Sequence, residues 1–455
     1  MVGQSTGHLN LLFVPLPPLI LLALYELIVR QQGSSLRWGV ALGLLAAAQF
    51  LVSPEIFLSS AILAAVGALG VAIARPRLVR HHAAYAIRGL TGALLTCLPI
   101  IAYPALFNIF GPNGYVGSAH GSYPFPADVL GAVVPDVNQL VSTSSIASIG
   151  NRFVMGNVVE NGSYLGIPLL VLLVGIVVRW WRVGWVRFAT CMAVVAWIIS
   201  LGPRLTVNTH TTSIPLPFAL FEHMPILPSL EVTRFSLYVD LFVALLLAIG
   251  IDRWQARALQ SFVHRPRPER RRIGLTGVVV AAAVVIVASL LPNWPHPEFP
   301  TAVPTFFSSP AARRIPPGSV VLAYPYPDNP TIQAMLWQAS DSMAFRLVGG
   351  YAVVPDAHRQ ASLNPFPPGS DEVPAALVGD YLGVHPSDVI AGLPATPPTA
   401  AEVRSFLLAN DVGTVIVQAS GADPAAARRL FVRALGDPST TTGGVDAWFD
   451  IGDSR

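Results

Sequence analysis

Eight apolar runs make up nearly half of the first 291 residues. Most of them approach the roughly 20 residues that an α-helix needs to cross the ~30 Å hydrocarbon core of a bilayer, and the second, fifth and sixth are shorter. An α-helix satisfies its own backbone hydrogen bonds, so it is the expected form of an apolar run in lipid. A charged fraction of only 12% and a mean hydropathy of +0.57 agree with this class. The sequence therefore predicts an all-α polytopic membrane domain with about eight transmembrane helices. The runs are Leu11 to Val29, Trp38 to Val52, Ile56 to Ala74, Gly89 to Phe110, Tyr164 to Val178, Phe188 to Leu201, Phe235 to Ile251 and Ile273 to Leu291.

The arginines indicate how these helices are oriented. All 28 basic residues are Arg, and 16 of them lie in the connections after the first, third, fifth and seventh runs, whereas the opposite connections hold only three. Because basic residues are retained on the cytoplasmic side, the richer set is predicted to be cytoplasmic in a plasma-membrane protein. The loops 111–163 and 202–234 and the C-terminal tail are then outside the cell.

The tail, residues 293–455, differs in composition from the first 292 residues. Its net charge is −6, against +9 for residues 1–292. Ser319 to Tyr324 and Thr414 to Gln418 are typical of short buried strands, while Thr331 to Ala339, Ala400 to Ala409 and Pro424 to Leu435 have helical spacing. These patterns predict a small extracytoplasmic α/β domain after the transmembrane domain of residues 1–292.

Several chemistries lack the residues they require. Without Lys, neither a P-loop nor a pyridoxal Schiff base can form. Cys97 and Cys191 both lie in apolar runs, which disfavours a disulfide framework or a thiolate metal site. No D-x-D triplet supports a metal-dependent nucleotide-sugar site, and no cofactor is identified. The basic run from His264 to Arg272 lies between two predicted spans, which favours a topogenic signal or lipid contact over nucleic-acid binding.

The N-terminus is predicted to lie outside the cell, with no charged flank or signal peptide before the first run. The residues after Met1 are typical of a loop that enters a helix. We therefore expect upstream helices, because an odd number of further spans would give an ordinary cytoplasmic start.

Four segments carry a family resemblance: GHLNLLFVPLPPLILLALYELIVRQ at 7 to 31, LGLLAAAQFLVSPE at 42 to 55, ENGSYLGIPLLVLL at 160 to 173 and VTRFSLYVDLFVALLLAIGIDR at 232 to 253. They resemble large actinobacterial membrane glycosyltransferases of the GT-C class. The resemblance implies transfer of a sugar from a polyprenyl-phosphate donor to an envelope glycan or protein on the outer face. In that class the catalytic acid lies in the first outer loop, which has no counterpart here, so an inactive N-terminally truncated form is an alternative.

Three carboxyl groups are candidate catalytic residues, since sugar transfer needs a group that accepts the proton of the acceptor hydroxyl. Glu55 follows Ser53 and Pro54, although an acid there also suits an ordinary helix start. Asp128 begins a short apolar segment that could lie at the membrane surface, or it caps that segment. Asp240 lies within a span, where a charge is a functional candidate by default, but it could also pack against a polar partner.

Two arginines and two aromatic residues complete the candidate set. Arg234 and Arg152 are predicted to face outside and suit the donor phosphate, although Glu231 lies close enough in sequence to pair with Arg234. In the tail, Trp337 and Tyr351 could stack on a carbohydrate acceptor, or they could belong to the core and rim of the domain.

Three functions remain open on these grounds. The first is the polyprenyl-phosphate-dependent glycosyltransferase. The second is a non-catalytic membrane scaffold whose outer domain binds a partner or a glycan. The third is a transporter or flippase, which lacks support from any internal repeat.

Overall fold

The computed structural model describes residues 8–117, 125–221, 230–264, 269–295, 301–327, 331–356, 358–362, 373, 398–419 and 423–452. The side chains of residues 9, 78–82, 258–264 and 269–279 are not part of that description, so the basic run His264 to Arg272 lies outside it. The same holds for residues 118–124 and 222–229 of the two predicted outer loops. The chain divides into two compact units. Unit 1 is Met1–Gly111 with His120–Pro297, and unit 2 is Pro112–Ala119 with Glu298–Arg455.

Unit 1 is helical. A π-helical turn, Glu26–Arg30, continues α2, and a long apolar sequence accounts for each of the larger helices. The helices are α1 (Leu9–Leu12), α2 (Leu16–Tyr25), α3 (Ser35–Val52), α4 (Pro54–Ala74), α5 (Pro76–Phe110), α6 (Ser144–Gly150), α7 (Ile167–Trp180), α8 (Gly184–Ser200), α9 (Ser236–His264) and α10 (Glu269–Leu290).

Small residues allow the backbones of α3 and α5 to come into direct contact. A Cβ on Gly39 would lie 2.2 Å from the carbonyl oxygen of Gly89, and one on Gly43 would lie 2.6 Å from that of Ala93. Such close approach is the usual way in which helices associate in lipid, where burial of apolar surface gives no advantage. Any larger residue at these two glycines would force the helices apart.

Five of the described helical segments are long and apolar enough to cross a membrane. The apolar runs that begin at Tyr164 and Phe188 fall in the shorter apolar helices α7 and α8, and the run that begins at Ile273 lies in α10, where only Val280–Leu290 is described with its side chains, so eight spans stay a prediction. The run at Tyr164 loses length because Gly166 has φ +78° and Pro168 occupies the first turn of α7, which delays the helix start. The five long segments are Asn10–Arg30, Ser35–Val52, Pro54–Ala74, Ala83–Phe110 and Val232–Arg257.

Polar connecting segments lie at the end of the bundle where α4 and α9 begin, called here the loop end. Residues 125–166 contain the 3₁₀ turns Val129–Ala132 and Val154–Gly156 and the short helix α6. A hairpin of β1 (Arg204–Val207) and β2 (His210–Pro215) follows α8. A 3₁₀ turn, Val232–Phe235, leads into α9.

Unit 2 contains a five-stranded sheet in the order β4-β3-β7-β9-β8 and a separate β5-β6 hairpin. Strand β3 runs parallel to β4 and β7, whereas β9 is antiparallel to β7 and β8. The sheet-containing C-terminal region predicted from the sequence is thus confirmed. Its elements are β3 (Val320–Tyr324), α11 (Gln333–Ser340), β4 (Arg346–Leu347), β5 (Val354–Pro355), β6 (Ala361–Ser362), α12 (Ala400–Ala409), β7 (Val412–Gln418), α13 (Pro424–Leu435), β8 (Thr440–Thr442) and β9 (Val445–Trp448).

Local sequence explains the helices of unit 2. Thr399 and Glu402 form a reciprocal capping box at the start of α12, in which each side chain accepts from the backbone N–H of the other residue. Helix α13 begins with Asp423 accepting from Ala426 N, followed by Pro424 in the first turn. The strands β3 and β7 are almost wholly buried, which suits a sheet covered on both faces.

Candidate functional site

Arg234 joins two acidic residues that are far apart in the sequence. Its Nη1 donates to Glu55 Oε2, while its Nε and Nη2 donate to the two carboxylate oxygens of Glu160 at 3.0 and 2.7 Å. The Glu160 side chain is 2% exposed, against 22% for Glu55 and 20% for Arg234. The Glu160 contact has the bidentate geometry that makes guanidinium–carboxylate pairs strong and directional.

Three separate elements position these groups. Glu55 is in the first turn of α4, where the Ser53 side chain caps the helix by accepting from Ile56 N. Arg234 lies in the 3₁₀ turn before α9, and Glu160 lies in the connecting segment that precedes α7. The ion pairs therefore tie the starts of α4 and α9 to the segment 125–166.

A second contact joins α4 to α9 one helical turn further from the loop end. The Tyr238 hydroxyl oxygen lies 2.7 Å from Ser59 Oγ, 2.8 Å from Ser60 Oγ and 3.0 Å from the Ile56 carbonyl oxygen. Residues four apart lie on the same face of a helix, so Tyr238 follows Arg234 on α9 as Ser59 follows Glu55 on α4. The two contacts fix the spacing and rotation of the helices on which Glu55 and Arg234 lie.

Glu231 belongs to the same cluster but has a different environment. Its backbone N–H donates to Glu55 Oε1 at 3.0 Å, and its own Oε2 is buried without a hydrogen-bond partner among the described residues. Burial raises the pKa of the Glu231 carboxyl to about 8, with Arg234 opposing the shift and the charges of Glu160 and Glu55 adding to it. Glu231 is therefore mostly protonated at neutral pH and close to its own titration point.

His8 approaches the cluster from the N-terminal side. Its Nε2 lies 3.1 Å from Glu160 Oε1, the same oxygen that accepts from Arg234 Nη2. Glu160 thus has two cationic or hydrogen-bonding neighbours. It is the most enclosed carboxylate of the group.

A pocket with about 480 Å³ of empty space, open to solvent, adjoins the cluster. Glu55, Glu231 and Arg234 contribute its polar lining, and Ser59 lies at its inner side. The rest of the lining is mainly apolar. It comprises Leu11, Ile56, Leu230, Phe235 and Leu237, together with Gly162 and Ser236. A pocket that combines apolar walls with a few convergent charged groups is the usual form of a small-ligand site.

The charge of the site favours proton transfer over direct anion binding. Glu55 and Glu160 carry two negative charges against one positive charge on Arg234, and Glu231 is mostly neutral near pH 7. The two carboxylates outnumber the one guanidinium, so Arg234 as it stands offers little attraction to a phosphate. Among the described residues, no group of three or more His, Cys, Asp or Glu side chains is placed to hold a metal ion.

Two of the predicted site residues, Glu55 and Arg234, come together in this site. The alternative role of Arg234, an ion pair, is present with other partners than Glu231, since the guanidinium donates to Glu55 and Glu160. The reason is geometric, because residues 231 and 234 share one tight 3₁₀ turn whereas the other carboxylates approach from outside it. The capping alternative for Glu55 is present as well, since Glu55 lies in a capped first turn.

Asp128 is placed elsewhere, in a role that is structural. Its Oδ1 accepts from the backbone N–H groups of Leu130 and Asn208 at 2.9 and 3.1 Å, and its Oδ2 accepts from Thr209 N at 2.7 Å. Asn208 and Thr209 form the β1–β2 turn and both have positive φ. Asp128 is 1% exposed, and its carboxylate, which holds this turn, does not line the pocket.

Asp240 and Arg152 also lie away from the pocket lining. Asp240 is on α9, six residues or about 9 Å along the axis from Arg234. Arg152 is exposed beside α6, and no described carboxylate lies within ion-pair distance of it. Neither residue is among those that line the pocket.

The two aromatic candidates differ in unit 2. Trp337 is 1% exposed and packs with Phe307 and Phe345 in the core, so its ring is closed to a carbohydrate. Tyr351 is 38% exposed and its backbone N–H donates to Met335 Sδ. Only Tyr351 has a surface on which a sugar could stack.

Glu160 was missed as a site residue, and Glu231 was considered only as a partner of Arg234. A signal existed for Glu160, which is one of only three acids in the loop 111–163, the others being Asp128 and Asp136. A half-buried Arg at a helix start favours carboxylate partners, and this short set contains one of the two that Arg234 has. No sequence signal distinguishes the paired Glu160 from the unpaired Glu231, because that difference depends on the turn at 232–235.

A comparison of the chain with protein-family models, with curated proteins and with solved structures found no match.

Proposed function

We propose that the chain is a membrane glycosyltransferase, or the C-terminal part of one, that uses the pocket beside Arg234. The observation that carries the proposal is the unpaired Glu231 carboxyl, with a pKa of about 8, in a partly apolar pocket at the membrane-helix ends. A general base works best when its pKa is near the working pH. The apolar walls suit the isoprenoid part of a polyprenyl-phosphate sugar, which is the donor that the family resemblance implies.

In the proposed reaction the ionised Glu231 accepts the proton of an acceptor hydroxyl. That oxygen forms a bond to the anomeric carbon of the sugar while the bond from this carbon to the phosphate oxygen breaks. The polyprenyl phosphate leaves with both bonding electrons. The protein supplies a proton acceptor and a nearby cation, and the acceptor molecule supplies the nucleophile.

Arg234 is the cation nearest to the leaving phosphate in this proposal, and it must exchange one carboxylate partner to bind it. Glu55 is the partner to exchange, because it accepts from one guanidinium nitrogen whereas Glu160 accepts from two. Glu160 then keeps Arg234 oriented. The donor is a lipid-linked sugar and the acceptor an envelope glycan or protein. We propose that the pocket and the C-terminal domain lie outside the plasma membrane, the orientation that the Arg distribution favours.

A transfer assay with the full chain in membranes tests the proposal. The probes are polyprenyl-phosphate sugars that carry a radiolabelled hexose or pentose, and the readout is label in envelope material. Glu231→Gln is expected to lower transfer by about 10²–10⁴-fold, the usual contribution of a positioned acid or base. Asp128→Asn, a carboxylate outside the pocket, is the matched control and should leave transfer per folded molecule within about threefold. Equal activity in Glu231→Gln and the native chain would contradict the proposal.

One observation favours the scaffold alternative. The Arg234 ion pairs connect three elements, which is what a purely structural clamp would do. A scaffold predicts no transfer with any probe while binding of an envelope glycan or protein persists. Loss of partner binding in Glu231→Gln would not be expected of a scaffold that acts through its C-terminal domain.

A further inference from the structure

Two arginines from different helices of unit 1 lie over the same indole ring. The guanidinium carbons of Arg179, at the end of α7, and Arg257, on α9, are 5.8 and 5.6 Å from the centroid of the Trp180 ring. Cation–π attraction holds each guanidinium near the ring. The same arrangement brings together two positive charges, which repel each other.

Close helix packing brings these residues together. A Cβ on Gly250 of α9 would lie 2.7 Å from Ile176 Cδ1 of α7, so the two helices are in close contact here and a larger residue would require the Ile176 side chain to move. Trp180 follows Ile176 by one turn, and Arg257 follows Gly250 by two turns on the same face. The arrangement is therefore set by the helix interface and not by a flexible surface side chain alone.

The two charges have no counter-ion among the residues that the structure describes. Among the described residues, no carboxylate lies within ion-pair distance of Arg179 or Arg257. The nearest acid in sequence, Asp252, is five residues before Arg257 and so about 140° around α9 from it. Two converging guanidiniums without a carboxylate provide a set of N–H donors that matches phosphate oxygens.

The position of the pair along α9 indicates the source of such a phosphate. Arg257 is 21 residues beyond Ser236, or about 32 Å along the helix, close to the thickness of a hydrocarbon core. The pair thus lies at the level of the lipid headgroups opposite the loop end. Trp181 and Trp254 are 47% and 45% exposed nearby, as expected of aromatic residues at a membrane interface.

We propose that the phosphate headgroup of an anionic phospholipid binds between Arg179 and Arg257, with Trp180 holding both guanidiniums in place. The phosphate supplies the missing negative charge, and its oxygens accept from both arginines. This inference does not rest on the proposed transferase activity. It gives unit 1 a fixed lipid contact on the arginine-rich side of the membrane.

Native mass spectrometry of the full chain in a non-ionic detergent tests the site. The native chain, titrated with phosphatidylglycerol or with phosphatidylcholine, is expected to retain the anionic lipid at least about tenfold more tightly. Arg179→Gln with Arg257→Gln should lower the affinity for phosphatidylglycerol by about tenfold, and Trp180→Leu should lower it by a smaller factor. Arg37→Gln with Arg88→Gln removes two other exposed arginines and should change the affinity by less than about twofold.

Three outcomes would overturn the proposal. Equal retention of the two lipids by the native chain would show that no anionic headgroup is recognised. Equal losses in the two double variants would show a general charge effect. An unchanged affinity in the Arg179 and Arg257 double variant would place the lipid elsewhere. Since the comparison of the two lipids uses the native chain, the test holds even if a variant fails to fold.

Discussion

Unit 1 contains two kinds of buried carboxyl group at its loop end, and they are held in opposite ways. Asp128 accepts three backbone N–H bonds, from Leu130, Asn208 and Thr209. Glu231 is half-buried, and its buried Oε2 has no partner among the described residues, beside an arginine that is bonded to other carboxylates. Backbone donors cannot move without unfolding a turn, so Asp128 is fixed in its structural role. Glu231 has no such donors on its Oε2, so it can gain and lose a proton.

The largest effect is expected where one residue neutralises two carboxylates. Arg234→Gln leaves Glu55 and Glu160 buried without their cation, which should lower the free energy of unfolding by about 3–5 kcal/mol. Thermal unfolding of the purified chain in detergent measures this loss of stability. Arg152→Gln removes an exposed Arg and should stay within about 0.5 kcal/mol of the native chain. A small effect of Arg234→Gln would mean that the ion pairs do not hold the loop end together.

Removal of the Asp128 carboxylate comes next. Asp128→Ala leaves three backbone N–H groups without an acceptor and should cost about 3 kcal/mol, since each unsatisfied buried group costs about 1–3 kcal/mol and water will reach part of the turn. Asp128→Asn keeps one acceptor oxygen and should cost less. Hydrogen exchange of the Asn208 and Thr209 amides should increase in both variants. Unchanged exchange would contradict the structural role.

The Glu231 carboxyl should make stability depend on pH. Its pKa in the folded chain, about 8, is above the ordinary 4.5, so the folded state binds the proton more tightly than the unfolded state does. Stability should therefore decrease as the pH rises from about 4.5 to about 8 and level off above that range. Glu231→Gln should remove this decrease, a difference on the order of 2 kcal/mol at pH 9 once solvent access is allowed for. Parallel pH profiles of the two melting temperatures would show that Glu231 is not the titrating group.

The smallest effect is expected for the hydrogen bonds between Tyr238 and the two serines of α4, Ser59 and Ser60. Tyr238→Phe keeps the ring but removes the hydroxyl that lies between Ser59 and Ser60. We expect a loss of about 1 kcal/mol, the net contribution of a typical hydrogen bond, with some increase because the site is buried. If the contact positions Glu55 against Arg234, the Phe variant should also shift the pH profile of transfer. A change in stability alone would restrict Tyr238 to packing.

The secondary structure of unit 2 could be predicted from the sequence because its signals are interactions between residues that are close in the chain. Thr399 with Glu402, and Asp423 with Pro424, mark helix starts whose hydrogen bonds are made within four residues. The buried strands of the sheet likewise appear as short β-branched runs. The order of the strands in the sheet could not be predicted, because contacts between residues far apart in the chain decide which strands are neighbours.

The sequence by itself determined that unit 1 consists of membrane-type helices, because long apolar runs with at most one internal charge have few other stable forms. It also indicated Glu55 and Arg234, since charges at the predicted outer ends of such runs are few. Only the tertiary structure decided which carboxylates Arg234 binds, that Asp128 is held by a turn 80 residues away, and that Glu231 is left unpaired. These outcomes depend on how α4, α9 and the segment 125–166 meet, and no local pattern contains the relative placement of three distant segments.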